Sequence, residues 1–293
     1  MDLITAIAAS LSATLKRPVR IETSQSVSGG SINSALSLET TAGRFFIKIN
    51  KAHLADMFAA EADGLEALKS TDAMKVPRVI ALGTHAGFSW LAMEFMDLGG
   101  PAHPARFGEA LARLHLQRGD TFGWQRNNTI GSTPQCNTPH ADWVEFWRHC
   151  RLGPQLEFAH RDGAPRALIA AGERLYEALP AFFTDYRPEP SLLHGDLWSG
   201  NWGFERTGEP VLFDPAVYYG DRETDIAMTG LFGSPGREFY AAYDAAWPLD
   251  PGYQVRTTLY NLYHILNHHH LFGGGYATQA QRMLAVLLAE LEA

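Results

Sequence analysis

The sequence predicts an α+β chain of two lobes, a sheet-rich first third followed by a mostly helical remainder. Three observations carry that expectation. Alternating or continuous apolar runs dominate residues 19 to 98, and 3.6-residue periodicity dominates after 104. Between them lies a Gly and Pro cluster, "LGGPAHP" at 98 to 104. The chain has 293 residues, long enough to build more than one core.

Each element follows from local pattern. Residues 1 to 15 carry apolar side chains at 3, 4, 7, 11 and 15 and predict an amphipathic helix. Val19, Ile21, Thr23, Gln25 and Val27 share one face of a first strand, which ends at "SVSGGSINS". "ALSLETTAGRFFIKIN" reads as two more strands turned at Ala42-Gly43. On the third strand Phe45, Ile47 and Ile49 take one face, and Phe46, Lys48 and Asn50 the other. A helix over 54–69 follows, with Leu54, Met57, Phe58, Leu65 and Leu68 at helical spacing, then strands in "VPRVIALG" and "FSWLAMEF". Helices are predicted over 104–117, 141–160, 164–184, 235–247, 253–271 and 276–292. The boundary falls near 98, giving lobes of 1–97 and 98–293 with a hinge at about 93–98.

Composition narrows the function classes. Lys and Arg number 24 against 32 Asp and Glu, a net charge of -8, with no basic run, so the footprint of a nucleic-acid partner is missing. Cys136 and Cys150 lack CxxC spacing and read as two unpaired thiols of a reducing compartment. Asp2 stands where a signal peptide is basic, and no apolar run reaches membrane-spanning length. The expectation is a cytoplasmic protein with neither nucleic-acid nor membrane partner; the sequence fixes no oligomeric state.

"LLHGDLWSGNWGF", residues 192–204, packs His194, Asp196 and Asn201 into an irregular loop after an apolar pair. A polar turn accounts for an Asp or an Asn but not for both five residues apart. Further on, Val211, Leu212 and Phe213 deliver Asp214 to the end of an apolar run. This spacing is the arrangement of phosphotransferase sites of the kinase fold. Phosphoryl transfer needs oxygen ligands for magnesium on rigid loops, and a carboxylate to take the proton of the attacking hydroxyl. On that reading Asp196 is the catalytic base, Asn201 and Asp214 are magnesium ligands, and the nucleotide is ATP.

The first lobe supplies the remaining parts in order. Lys48 sits on the third strand where a Lys can hold phosphates, and Glu61 on the next helix is placed to pair with it. Taken singly, Lys48 is better explained by a snorkelling surface Lys and Glu61 by a solvated helix face. Gly29, Gly30 and Ser31 form the candidate phosphate loop, through backbone amides that anions can approach. It matches neither GxGxxG nor the Walker pattern, and a two-glycine hairpin explains it equally well. The backbone at Glu94, Phe95 and Met96 is the candidate adenine-binding hinge, or else a linker that touches nothing.

"HGDLWSGN", "FDPAVYYGDRETDIAM", "NLYHILNH" with "LFGGGY", and "IGSTPQCNTPHADWVEFWR" resemble the fructosamine kinase family of ketosamine 3-kinases, as do "SGGSIN" and "FFIKIN". The resemblance runs from about residue 24 to 285. It implies a protein-kinase-like, aminoglycoside-phosphotransferase-like two-lobed fold. It also implies ATP-dependent phosphorylation of the 3-hydroxyl of a ketosamine, free or on a glycated protein, leading to loss of the sugar. By the same resemblance Asp225 braces the catalytic loop; His194 reads as a brace for the loop rather than a proton carrier, since Asp196 already fills that role. Two positions depart from the family: Ser28-Gly29-Gly30-Ser31 replaces a longer glycine run followed by Cys, and Gly230 stands where a Glu is common.

Other readings compete. A related kinase of aminoglycoside, choline or homoserine hydroxyls shares the Asp-x4-Asn and strand-end Asp logic, although Trp198-Ser199-Gly200 and Tyr218-Tyr219-Gly220 fit it poorly. A silent nucleotide-binding module fits poorly with retention of all five polar residues. Trp198 is either a core aromatic or a face on which a sugar or amine stacks. His264 and His268 have i,i+4 metal spacing without a third ligand, so packed histidines are the alternative.

Overall fold

The computed structural model describes residues 2–27 and 32–292. The chain divides into two units: residues 1–103 with Gly203–Pro215, and Pro104–Trp202 with the remainder from Ala216. The sequence boundary near 98 falls short of this division. It also assigned everything beyond to the helical part, whereas Gly203–Pro215 returns to the first unit.

In the first unit, α1 (Leu3–Leu15) starts where Asp2 Oδ1 accepts the N–H of Thr5 at 2.8 Å, satisfying a donor the helix start leaves open. Strands β1 (Ile21–Val27), β2 (Ser34–Thr40), β3 (Gly43–Lys51), β4 (Val79–His85) and β5 (Phe88–Glu94) form one antiparallel sheet in the order β1-β2-β3-β5-β4. Between β3 and β4 lies α2 (Ala55–Ser70). Ala6, Ile7 and Leu11 of α1 pack with Leu38, Phe45, Ile47, Ile80, Trp90 and Ala92. Ile49 packs at the edge of that cluster, so the Phe45, Ile47 and Ile49 face predicted from alternation is the core face. Fully burying one such side chain contributes about 1.5–3 kcal/mol. β1 differs, because it is the sheet edge and its central residues are exposed on both faces. Its alternation is therefore not matched by burial.

Residues 203–215 belong to this unit through β9 (Trp202–Phe204) and β10 (Pro210–Leu212), which pair with each other. Leu212 N–H donates to Lys75 C=O at 3.0 Å, and Lys75 Nζ meets Glu205 at 2.6 Å. The N–H groups of Gly99 and Arg206 donate to Phe204 C=O and Asp97 C=O, tying the segment after β5 to the same hairpin.

The second unit holds α3 (Pro104–His115), α4 (Trp143–Trp147), α5 (Gly153–Arg161), α6 (Arg166–Ala178), α7 (Glu223–Thr229), α8 (Arg237–Ala246), α9 (Tyr253–Phe272) and α10 (Tyr276–Glu290). Two short hairpin-like pairs complete it, β6 (Asn128–Ile130) with β7 (Thr133–Gln135), and β8 (Ser191–Leu193) with β11 (Tyr218–Gly220). The helix expected over 141–160 is interrupted by a π turn at Arg148–Leu152. α7 was not among the helices read from periodicity, because it is buried on every side and has no polar face to alternate. The core gathers Trp143, Phe146 and Trp147 with Tyr260, Ile265, Leu266 and the α10 leucines.

Candidate active site

Lys48 is 5% exposed, on the β3 face opposite the α1 core. A buried ammonium needs compensation. Its Nζ meets Glu61 of α2 at 2.6 Å and also bonds Asp214, bringing together three residues read separately from the sequence. Burial acts to lower the Lys48 pKa, but the two carboxylates outweigh it, and the ammonium is held above its usual range. Glu61 is pushed up by burial, with Asp214 adding and Lys48 opposing. Asp214 lies just past β10 at φ 56°, the left-handed region an Asp occupies only with local support.

The glycine-rich residues Gly29, Gly30 and Ser31 lie outside the described residues. Glu94 ends β5, and its N–H donates to Arg78 C=O at 2.9 Å. Phe95, just past the strand, carries the Arg44 guanidinium 3.6 Å from its ring centroid. Met96 follows in the same segment, two residues beyond the strand end.

In the second unit the loop after β8 is held from beneath. Asp225 Oδ2 of α7 accepts the backbone N–H of His194 at 2.7 Å and Oδ1 that of Gly195 at 2.9 Å, and His115 Nε2 lies 3.2 Å from the same Oδ2. Burial alone would raise the Asp225 pKa; the hydrogen bond and charge of His115, with these amides, hold it below the usual value. Gly195 has φ 83°, and a Cβ there would stand 2.1 Å from Ala216 C=O, so only glycine allows the turn.

His194 is fully buried, and its Nδ1 accepts the N–H of Asp196 at 3.2 Å, which orients the loop. Asn201 Nδ2 donates to the Asp196 backbone C=O at 2.8 Å and to its carboxylate at 3.0 Å. The five-residue spacing thus becomes a direct contact. Its amide nitrogen faces Asp196, so the carbonyl end is the one that can meet a cation. The Trp198 ring, 37% exposed, lies against Gly200, where a Cβ would meet it at 2.2 Å.

His115 was missed by the sequence reading. It sits at the end of α3, far in sequence from Asp225, and its one signal was a lone His in an otherwise apolar stripe. His264 is buried and pushed down to about 3 by burial, with His268 adding; among the described residues no group of three His, Cys, Asp or Glu side chains is placed to hold a metal.

Comparison with known proteins shows the family. The fructosamine kinase family model matches residues 3–290. A ketoamine kinase candidate of Synechocystis sp. is 47% identical over 285 residues, covering 95% of this chain and 94% of that protein. The chloroplastic protein-ribulosamine 3-kinase of Arabidopsis thaliana is 43% identical over 273 residues, covering 92% and 83%. The crystal structure of a candidate fructosamine-3-kinase from Thermobifida fusca superposes with a TM-score of 0.86 at 31% identity, covering 97% and 99%. An aminoglycoside phosphotransferase superposes at 0.65 with 14% identity, covering 98% of this chain and all of that one; it shares the α+β, protein-kinase-like fold. With a match spanning nearly its whole length, the chain belongs to the fructosamine kinase family.

Proposed function

We propose that the protein transfers the γ-phosphoryl group of ATP to the 3-hydroxyl of a ketosamine, a sugar adduct of an amine or of a protein lysine. The observation that carries this reading is the Asp196 carboxylate, held by Asn201 in a loop clamped by buried Asp225. The substrate class is supported by the family and by relatives named for ketoamine and ribulosamine phosphorylation.

Each residue has a chemical task. Asp196 orients the acceptor hydroxyl and takes its proton as the oxygen attacks phosphorus. Lys48, kept charged and aimed by Glu61, holds nucleotide phosphates. The Asp214 carboxylate and the Asn201 amide oxygen are hard ligands of the kind magnesium takes alongside substrate phosphates, so the donor set fits that ion. When bound, magnesium neutralises phosphate charge. The amides of Gly29, Gly30 and Ser31 are assigned to the phosphates, the backbone of Glu94 to Met96 to the adenine edge, and Trp198 to stacking on the substrate. A phosphate at C3, beside the ketone, is a leaving group, and its elimination followed by hydrolysis frees the amine.

The test is ADP release by the purified protein with magnesium, ATP and a panel of fructosamines and ribulosamines of one simple amine. Wild type turns over at least one. Asp196→Ala loses roughly 10²- to 10⁴-fold in turnover while keeping nucleotide affinity. Turnover of an aminoglycoside or choline, with every ketosamine ignored, overturns the substrate assignment. Full activity in Asp196→Ala overturns the base.

A further inference from the structure

Cys136, just after β7, and Cys150, in the π turn between α4 and α5, place their sulfurs 3.2 Å apart, both as free thiols. A disulfide needs about 2.0 Å, so a shift of little more than an ångström would close the bond. Cys136 is partly exposed, whereas Cys150 is buried.

The two thiols differ chemically. Burial works against ionisation of Cys136, but hydrogen bonds from Thr138 and Cys150 and the charge of Arg151 outweigh it, and its pKa lies below the ordinary value. Cys150 is pushed up to about 12 by burial and by its partner. An accessible thiol with raised thiolate character beside a sheltered protonated one is the arrangement of an attacking and a resolving cysteine.

We infer that Cys136 and Cys150 are a modification site, a dithiol that a peroxide oxidises to a reversible intramolecular disulfide felt at the catalytic loop. The Cys136 thiolate attacks one peroxide oxygen, the O–O bond breaks, and a sulfenic acid forms as hydroxide leaves, which takes up the proton the thiol shed on ionising and departs as water. The Cys150 sulfur then attacks the Cys136 sulfur. The S–O bond breaks, the S–S bond forms, and the hydroxide leaves with the Cys150 proton as a second water. The two sulfurs together lose two electrons and the peroxide gains them.

The route to the loop is a short chain of contacts. Gln135, adjacent to Cys136, donates from Nε2 to Ala216 C=O at 3.3 Å, and Asn128 Nδ2 donates to Val217 C=O at 2.9 Å. Ala216 N–H donates to His194 C=O at 2.8 Å. Buried Arg151 donates to the carbonyls of Cys136 and Cys150 and lies 3.9 Å from the Tyr218 ring centroid. Drawing Cys136 toward the π turn therefore loads the segment that fixes His194.

The experiment treats the full chain with one equivalent of hydrogen peroxide, then follows free thiols, intact mass and ketosamine turnover before and after dithiothreitol. Both thiols disappear, the mass falls by two hydrogens, turnover falls severalfold, and dithiothreitol restores all three. Cys136→Ser and Cys150→Ser each form no intramolecular product and keep turnover at this dose. Persistence of both thiols, or conversion to sulfinic acid without a disulfide, overturns the site. A complete disulfide with unchanged turnover overturns its link to the loop. Only the turnover arm rests on the kinase reading, so failure of that reading is distinguishable by mass.

Discussion

Glu61 in the first unit and Asp225 in the second are carboxylates largely removed from water, with side chains 10% and 2% exposed, and they are kept there by opposite means. Glu61 has one strong partner, the Lys48 ammonium, which it shares with Asp214. Its pKa is raised, because burial and the second carboxylate outweigh what one shared cation returns. Asp225 has two backbone amides and His115, and its pKa is lowered although its burial is deeper. Several fixed donors aimed at one carboxylate thus hold its charge more firmly than a divided ion pair. The firm arrangement holds the loop after β8 through its backbone, and the divided one leaves Lys48 shared between two carboxylates, as the proposed phosphate role requires.

The largest expected effect comes from breaking the firm side. Asp225→Ala orphans two buried N–H donors at about 1–3 kcal/mol each, a sizeable part of ordinary stability. Thermal unfolding at neutral pH is expected to show a loss of several kcal/mol, with turnover falling alongside. The sign of the pH dependence is fixed by the lowered pKa: the stability Asp225 contributes is present above its unfolded value and is lost as pH falls through the folded one. The difference between wild type and variant therefore shrinks in acid. A constant difference from pH 7 to pH 3 would mean the amides, not the charge, carry the interaction.

Lys48→Met is the matching test of the divided side. Turnover is expected to fall roughly 10²- to 10³-fold, the scale of one lost electrostatic contact to the reacting phosphates. In stability the pH slope is opposite to that of Asp225. Without the ammonium the Glu61 carboxyl rises further above its unfolded value, so the folded state binds more protons and loses stability as pH rises through that window. Denaturant titrations at pH 5 and pH 8 read this directly. A variant equally stable at both would show that other donors hold Glu61 as amides hold Asp225.

This contrast also explains what the sequence made legible. The Asp196–Asn201 contact was legible from a five-residue spacing within one loop, whereas Lys48 on alternation alone reads as a surface Lys and stood out only by its place in the order of elements. Asp225 came only through resemblance, and its partner His115 not at all, because a contact spanning 110 positions leaves no periodic trace. The return of residues 203–215 to the first unit was illegible for the same reason, as was the pairing of Cys136 with Cys150 across the π turn. Eight helical segments showed their apolar spacing; α7, buried all round, had none to show.

His264 offers the smallest and sharpest test of the same comparison, as a buried base with no carboxylate bonded to it. Burial lowers its pKa to about 3, with His268 and Arg151 adding and Asp225 opposing. A group depressed in the folded state contributes stability above its unfolded value of 6.5, and that stability is lost as pH falls toward 3. Between pH 7 and pH 5 the loss amounts to about 2 kcal/mol at 1.36 kcal/mol per pH unit. His264→Gln, which fills similar space without titrating, should flatten that part of the profile while leaving stability at pH 8 less affected. An unchanged acid slope in the variant would mean that Asp225 stabilises a protonated His264 after all, and that its field extends beyond the amides it holds.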